Sequence, residues 1–98
     1  MPDRPDSAMK KDVLKELRRI PGVGPAMAED LWMLDIRSVA DLVGKNPSEL
    51  YEQHNRICGF TQDRCVLYVY RCAVYFAETP ESERDPEKLK WWNWKDKQ

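Results

Sequence analysis

The chain has 98 residues, room for one domain around one core. Apolar residues make up 42% and charged residues 34%. Lys and Arg number 16 against 17 Asp and Glu, a net charge of -1, which excludes nucleic-acid binding through a general basic excess and leaves only a local patch.

Residues 1–8 carry two prolines and three charges without apolar period and read as a disordered lead-in. From Met9 the apolar positions Met9, Val13, Leu14, Leu17 and Ile20 recur at three- and four-residue steps, which predicts a helix with those residues on one face. Lys10, Lys11, Lys15, Arg18 and Arg19 fill the other face, opposed by Asp12 and Glu16, so this helix is locally basic. Pro21-Gly22-Val23-Gly24-Pro25 stops it, because proline cannot continue a helix and glycine permits positive φ. Pro25 suits the first turn of a second helix running to about Leu34.

Ser38 followed by Asp41, and Asn46-Pro47 followed by Glu49, each pair a capping residue with an acidic third position and predict two short helices broken near Gly44. The second runs from Pro47 to Ile57 and ends at Gly59. Thr61, or Asp63 two residues on, can cap a longer helix reaching about Glu78. This helix is apolar almost all round, with Arg64, Arg71 and Glu78 as its one wet stripe; Arg71 is expected to pair with a carboxylate such as Glu78 or to be exposed on that stripe. Residues 79–87 read as an acidic linker, and Asp85-Pro86 starts a last short helix carrying Leu89, Trp91, Trp92 and Trp94. The expectation is that this tail docks on the broad apolar surface of the central helix. The alternative is a base-stacking platform, since aromatics between Lys90 and Lys95 suit single strands.

Ile20-Pro21-Gly22-Val23-Gly24 aligns with Ile57-Cys58-Gly59-Phe60-Thr61, and at the same offset of 37 residues Ala28 falls on Cys65 and Leu31 on Tyr68. The chain reads as internally duplicated. In each copy an apolar residue closes the first helix, glycine makes the turn, an apolar residue plugs the loop and a small residue lets the helices approach. The predicted fold is all-α: a tandem hairpin domain over residues 9–78, with residues 79–98 as linker and docked tail.

The stretch Leu17-x-x-Ile20-x-Gly22-Val23-Gly24-x-x-x-Ala28 is similar to the helix-hairpin-helix signature of DNA-repair and DNA-processing proteins. Over a longer span, Gln62 to Tyr68, Arg71 to Phe76 and Lys90 to Lys95 resemble the small bacterial Cdd1 or pathogenicity-locus family, whose members are often labelled mitomycin-resistance or DNA-repair proteins. The resemblance implies that Gly22 and Gly24 bring backbone N–H groups to a DNA phosphate without reading sequence, at the positive end of the second helix's dipole. Val23 would plug the loop, Ala26 would lie beside the phosphate, and Lys15, Arg18 and Arg19 would hold neighbouring phosphates. The sequence departs from the pattern at Pro25, which lacks an N–H, at Ala26 and Met27, where a lysine or other polar side chain is often found, and at Glu29 and Asp30, which would repel a phosphate if they faced it. The bland alternative is a tight helix connection.

No cofactor and no metal are expected. Cys65 and Cys72 lie two helical turns apart, ~10 Å along the axis, too far to share one zinc, so with Cys58 they read as small packing residues. His54, the only histidine, has no adjacent nucleophile to activate, and the chain shows no sign of an enzyme. Two functions are weighed. One is a non-sequence-specific DNA-binding or DNA-repair accessory domain; the other is a protein-interaction scaffold built on a hairpin fold that does not bind DNA.

Overall fold

The computed structural model describes residues 6–96, so the expectation for residues 1–5 lies outside the described residues. Four α-helices carry the fold: α1 Asp6–Leu17, α2 Pro25–Met33, α3 Pro47–Cys58 and α4 Arg64–Glu78. The first begins inside the stretch read as a lead-in, three residues before Met9. Single 3₁₀ turns supply the rest, at Val39–Leu42, Glu81–Glu83, Pro86–Leu89 and Trp91–Trp94. The two segments expected as short helices, after Ser38 and after Asp85, are thus 3₁₀ turns. Only four residues of each are helical, too few to close successive i→i−4 bonds.

Local chemistry sets the helix starts. Asn46 Oδ1 accepts from the Ser48 and Glu49 N–H groups at 2.8 and 3.4 Å, and Pro47 occupies the first turn. Asp63, rather than Thr61, caps α4, its carboxylate accepting from the Cys65 N–H at 3.0 Å. This hydrogen bond holds the Asp63 carboxyl below its ordinary pKa. Arg84 closes the other end of α4, its Nε donating to the carbonyls of Phe76 and Thr79 at 3.2 and 3.0 Å while its guanidinium lies over the Phe76 ring.

Helices α1 and α2 pack as one pair, and α3 and α4 as another. Val13, Leu17, Ile20, Val23, Ala28, Leu31 and Leu34 of the first pair meet Leu50, Tyr51, Leu67, Tyr70, Ala73 and Val74 of the second in one core. His54 is buried there as well. Its Nδ1 shares a 2.8 Å hydrogen bond with the Tyr70 hydroxyl, and its Nε2 lies 3.7 Å from Asp30, so α2, α3 and α4 meet at one polar point. Desolvation raises the Asp30 carboxyl above its usual range, a shift that the neighbouring His54 partly offsets.

The 37-residue correspondence holds in α1 and α3, where Val13 and Leu17 answer to Leu50 and His54, all buried. It holds too at Gly22 and Gly59, with φ of +87° and +82°. Beyond the glycine it fails, because the step from Gly59 to the start of α4 is two residues longer than the step from Gly22 to the start of α2. The buried residues Ala28 and Leu31 answer to Leu67 and Tyr70, at 39 residues, and not to Cys65 and Tyr68, which are only half-buried. Val23 plugs the first loop, whereas Phe60 is 66% exposed and plugs nothing.

Along the stripe Arg64 and Glu78 are exposed and Arg71 is half-buried, and the tail binds to its polar groups. Arg64, Tyr68 and Arg71 all donate to the Asp96 carboxylate, and Arg71 also donates to the Trp94 carbonyl at 2.7 Å. Tyr75, one turn on, accepts from the Asp85 N–H at 2.8 Å, and its ring lies tilted against Trp94 with 5.6 Å between ring centres. Glu78, expected to partner Arg71, instead accepts from the Gly44 N–H at 2.7 Å and ties the loop before α3 to the end of α4. The tail therefore docks through the polar stripe of α4, with Leu89 and Trp91 adding apolar contact to the core.

Leu31 is fully buried in the core and contributes through exclusion from water. Leu31→Ala is expected to lower the unfolding free energy by ~2–5 kcal/mol in urea titration. Arg64 and Arg71 hold the Asp96 carboxyl below its ordinary pKa. The clasp is complete above the unfolded pKa of ~3.9 and is lost as pH falls through the depressed folded value. The melting temperatures of wild type and Asp96→Asn should accordingly differ at neutral pH and converge below about pH 4; parallel curves would exclude the clasp.

Candidate functional site

The sequence-predicted residues lie on the connection between α1 and α2. After Leu17 the chain tightens into a 3₁₀-like turn, with Arg19 N–H donating to the Glu16 carbonyl and Ile20 N–H to the Leu17 carbonyl. Ile20 is thereby turned into the core. Gly22 then reverses the chain in the left-handed region, where a side chain is strained, and the Val23 N–H returns to the Ile20 carbonyl at 3.0 Å. Val23 is buried, while Gly22, Gly24 and Ala26 are exposed.

Gly24 is the N-cap of α2 with extended backbone, φ -94° and ψ -169°, and offers no side chain to the helix. The N–H groups of Gly24, Ala26 and Met27 have no acceptor among the described residues, whereas α3 and α4 each have a carboxamide or carboxylate over theirs. The start of α2 is thus a short set of free donors at the positive end of a nine-residue helix. Nothing lies within 4 Å of a Cβ built on Gly24, so the approach is open.

The acidic residues that follow are engaged. Glu29 pairs with Lys10 at 2.9 Å, and Asp30 is turned toward His54. Lys15, Arg18 and Arg19 come together in one open depression on α1 and the turn after it, but so do Asp12 and Glu16, three cations against two anions. Glu16 is committed elsewhere in part, to Arg19 at 3.8 Å and to the Val39 N–H at 3.3 Å. Gly22, Gly24 and Ala26 do not line that depression. The candidate residues therefore form two neighbouring features, a donor-bearing helix start and a basic depression.

The C-terminal tail adds a neighbour that periodicity did not reveal. The Trp91 indole lies against Gly22, its Cδ1 2.9 Å from where a Cβ would stand. Gly22 is thus required twice, by its positive φ and by this ring. Trp92 stands edge-on to Trp91 at 5.8 Å between ring centres and is exposed. The signal available in the sequence was the adjacency of two tryptophans, which cannot share one face; their partner on the first hairpin carried no local mark.

The thiols occupy three different settings: Cys58 exposed, Cys65 half-buried and Cys72 buried. Cys72 Sγ lies 3.5 and 3.6 Å from the carbonyls of Leu89 and Lys88, and burial pushes its pKa up to about 11. It packs the tail against α4 as a protonated thiol. Burial also raises Cys65.

Among the described residues no helix is long and apolar enough to cross a membrane. No curated protein and no solved structure matches the chain. A family model described as pathogenicity locus matches residues 10–98, a span that takes in both helix pairs and the tail that joins them, and the chain belongs to the Cdd1 family.

Proposed function

We propose that this protein is a DNA-binding accessory domain that contacts the DNA backbone without reading sequence, through a helix-hairpin-helix unit formed by α1, the Gly22–Gly24 turn and α2. The observation that carries this reading is the uncapped start of α2. Free N–H groups at Gly24, Ala26 and Met27, behind a glycine with open space around it, make an anion site for a phosphate oxygen. Lys15, Arg18 and Arg19 supply the nearby positive charge that a net charge of -1 withholds elsewhere. The pair α3 and α4 is the structural partner in this reading, since Asp63 already occupies the corresponding helix start. The site needs no cofactor, and its place of work is the cytoplasm.

A protein-interaction scaffold is the second reading, favoured by the α3–α4 connection. There Ile57 is 48% exposed and Phe60 66%, although their counterparts Ile20 and Val23 are buried. Such a protein would be inert to DNA and would lose a protein partner on replacement of Phe60.

Gly22 is a poor probe of the hairpin, because any side chain there meets Trp91. Ala26→Glu separates binding from folding. An acidic residue in the first helical turn favours the dipole by ~0.3–1 kcal/mol, so the melting temperature should hold or rise. The same charge lies where a phosphate would sit, and loss of one charge-assisted contact should weaken DNA binding at least tenfold, on the order of 1.5–3 kcal/mol. Anisotropy titration of labelled DNA at low and near-physiological salt checks both, with wild-type affinity falling as salt rises. Unchanged affinity in Ala26→Glu would reject the hairpin contact.

A further inference from the structure

The three tail tryptophans are not equivalent. Trp94 is fixed, its Nε1 donating to the Lys88 carbonyl at 2.7 Å and its ring tilted against Tyr75. Trp91 is half-buried against Gly22 and the core. Only Trp92 keeps a free face, 49% exposed, because successive residues of a 3₁₀ turn point ~120° apart and Trp91 has taken the inward direction. The fold draws little from this indole beyond its edge contact with Trp91.

Its surroundings suit a polyanion that carries aromatic faces. Lys90 and Lys95 flank the turn, and Lys95 has no ion pair among the described residues, while Lys90 pairs with Glu87 at 3.1 Å. Through Trp91, the free indole stands one ring away from the turn that leads into the donor-bearing start of α2. A strand held there by a phosphate needs only a few nucleotides, at ~3.4 Å each when stacked, to bring a base over Trp92. In a duplex the base faces are already stacked on one another, so an exposed indole gains nothing from them; in a single strand every base offers one.

Resting on the hairpin reading, we propose that Trp92 is a base-stacking residue and that the α1–α2 hairpin and the tail together form one site for single-stranded DNA. Stacking supplies affinity that the charge balance does not. A chain of net charge -1 competes poorly for a duplex with one phosphate per ~1.7 Å, and better for a less densely charged strand whose bases contribute directly.

The test uses the full chain, a labelled 12-nucleotide oligothymidine and a labelled 12-base-pair duplex, with binding read by anisotropy at low salt. Trp92→Leu keeps an apolar side chain against Trp91 without a stacking face, and Trp92→Phe keeps a face. Wild type should bind the single strand more tightly than the duplex. Trp92→Leu should lose about five- to hundredfold on the single strand, the equivalent of ~1–3 kcal/mol per stacked base, with duplex affinity unchanged. Trp92→Phe should retain most of the binding, and melting curves of both variants should match wild type. Wild-type single-strand affinity in Trp92→Leu, or an equal loss on both DNAs, overturns the proposal. The hairpin reading fails separately: loss in Trp92→Leu but not in Ala26→Glu leaves stacking without a hairpin clamp, and the reverse leaves the clamp without stacking. Binding to neither DNA overturns both.

Discussion

Most of the circumference of α4 has to be covered. Leu67, Val69, Tyr70, Cys72, Ala73, Val74 and Phe76 are buried over more than half of its circumference, so one packed neighbour cannot satisfy it. Helix α3 covers one side, the Val39–Leu42 turn another, and the tail a third. The first hairpin closes the core from beyond, meeting α3 and α4 where His54 touches Tyr70 and faces Asp30. The position of the α1–α2 turn, and with it the candidate site, follows from how α4 is wrapped.

The wrapping is apolar on most sides and polar on one, and the polar side gives it register. Apolar burial is non-directional, but the Asp96 carboxylate must meet Arg64, Tyr68 and Arg71 together. The exposed ion pairs in that group add little stability by themselves. What they add is position: with Asp96 held and the Trp94 carbonyl on Arg71, Trp91 is carried to Gly22 and Trp92 is left outward.

The sequence was most legible where structure is decided within a few residues. Pro25 and Asn46-Pro47 marked helix starts, Gly22 and Gly59 marked turns, and Leu17, Ala28 and Leu31 lay on the core face, because caps, positive φ and helical period are local. What depends on distant partners was not legible. Arg71 had an equally spaced Glu78 to pair with, yet a carboxylate 25 residues downstream took it, and Glu78 went to a backbone N–H before α3. Phe60 matched the plug residue Val23 by alignment, but two additional residues between Gly59 and α4 changed which side chains face inward. At the candidate site Gly22, Gly24 and Ala26 could be read from the motif; the indole beside them could not, since nothing around Trp91 names a residue near the other end of the chain.

That contact between Gly22 and Trp91 also bears on the order in which the molecule assembles. Each helix pair joins segments that are close in sequence and can close early, with little loop entropy to overcome. The contact of Trp91 with Gly22 joins opposite ends of the chain and gains its full worth only once α4 is in place to receive Asp96. The tail accordingly settles after the helix pairs have formed. One side of the α1–α2 turn is thus completed from the far end of the chain, after both helix pairs are in place.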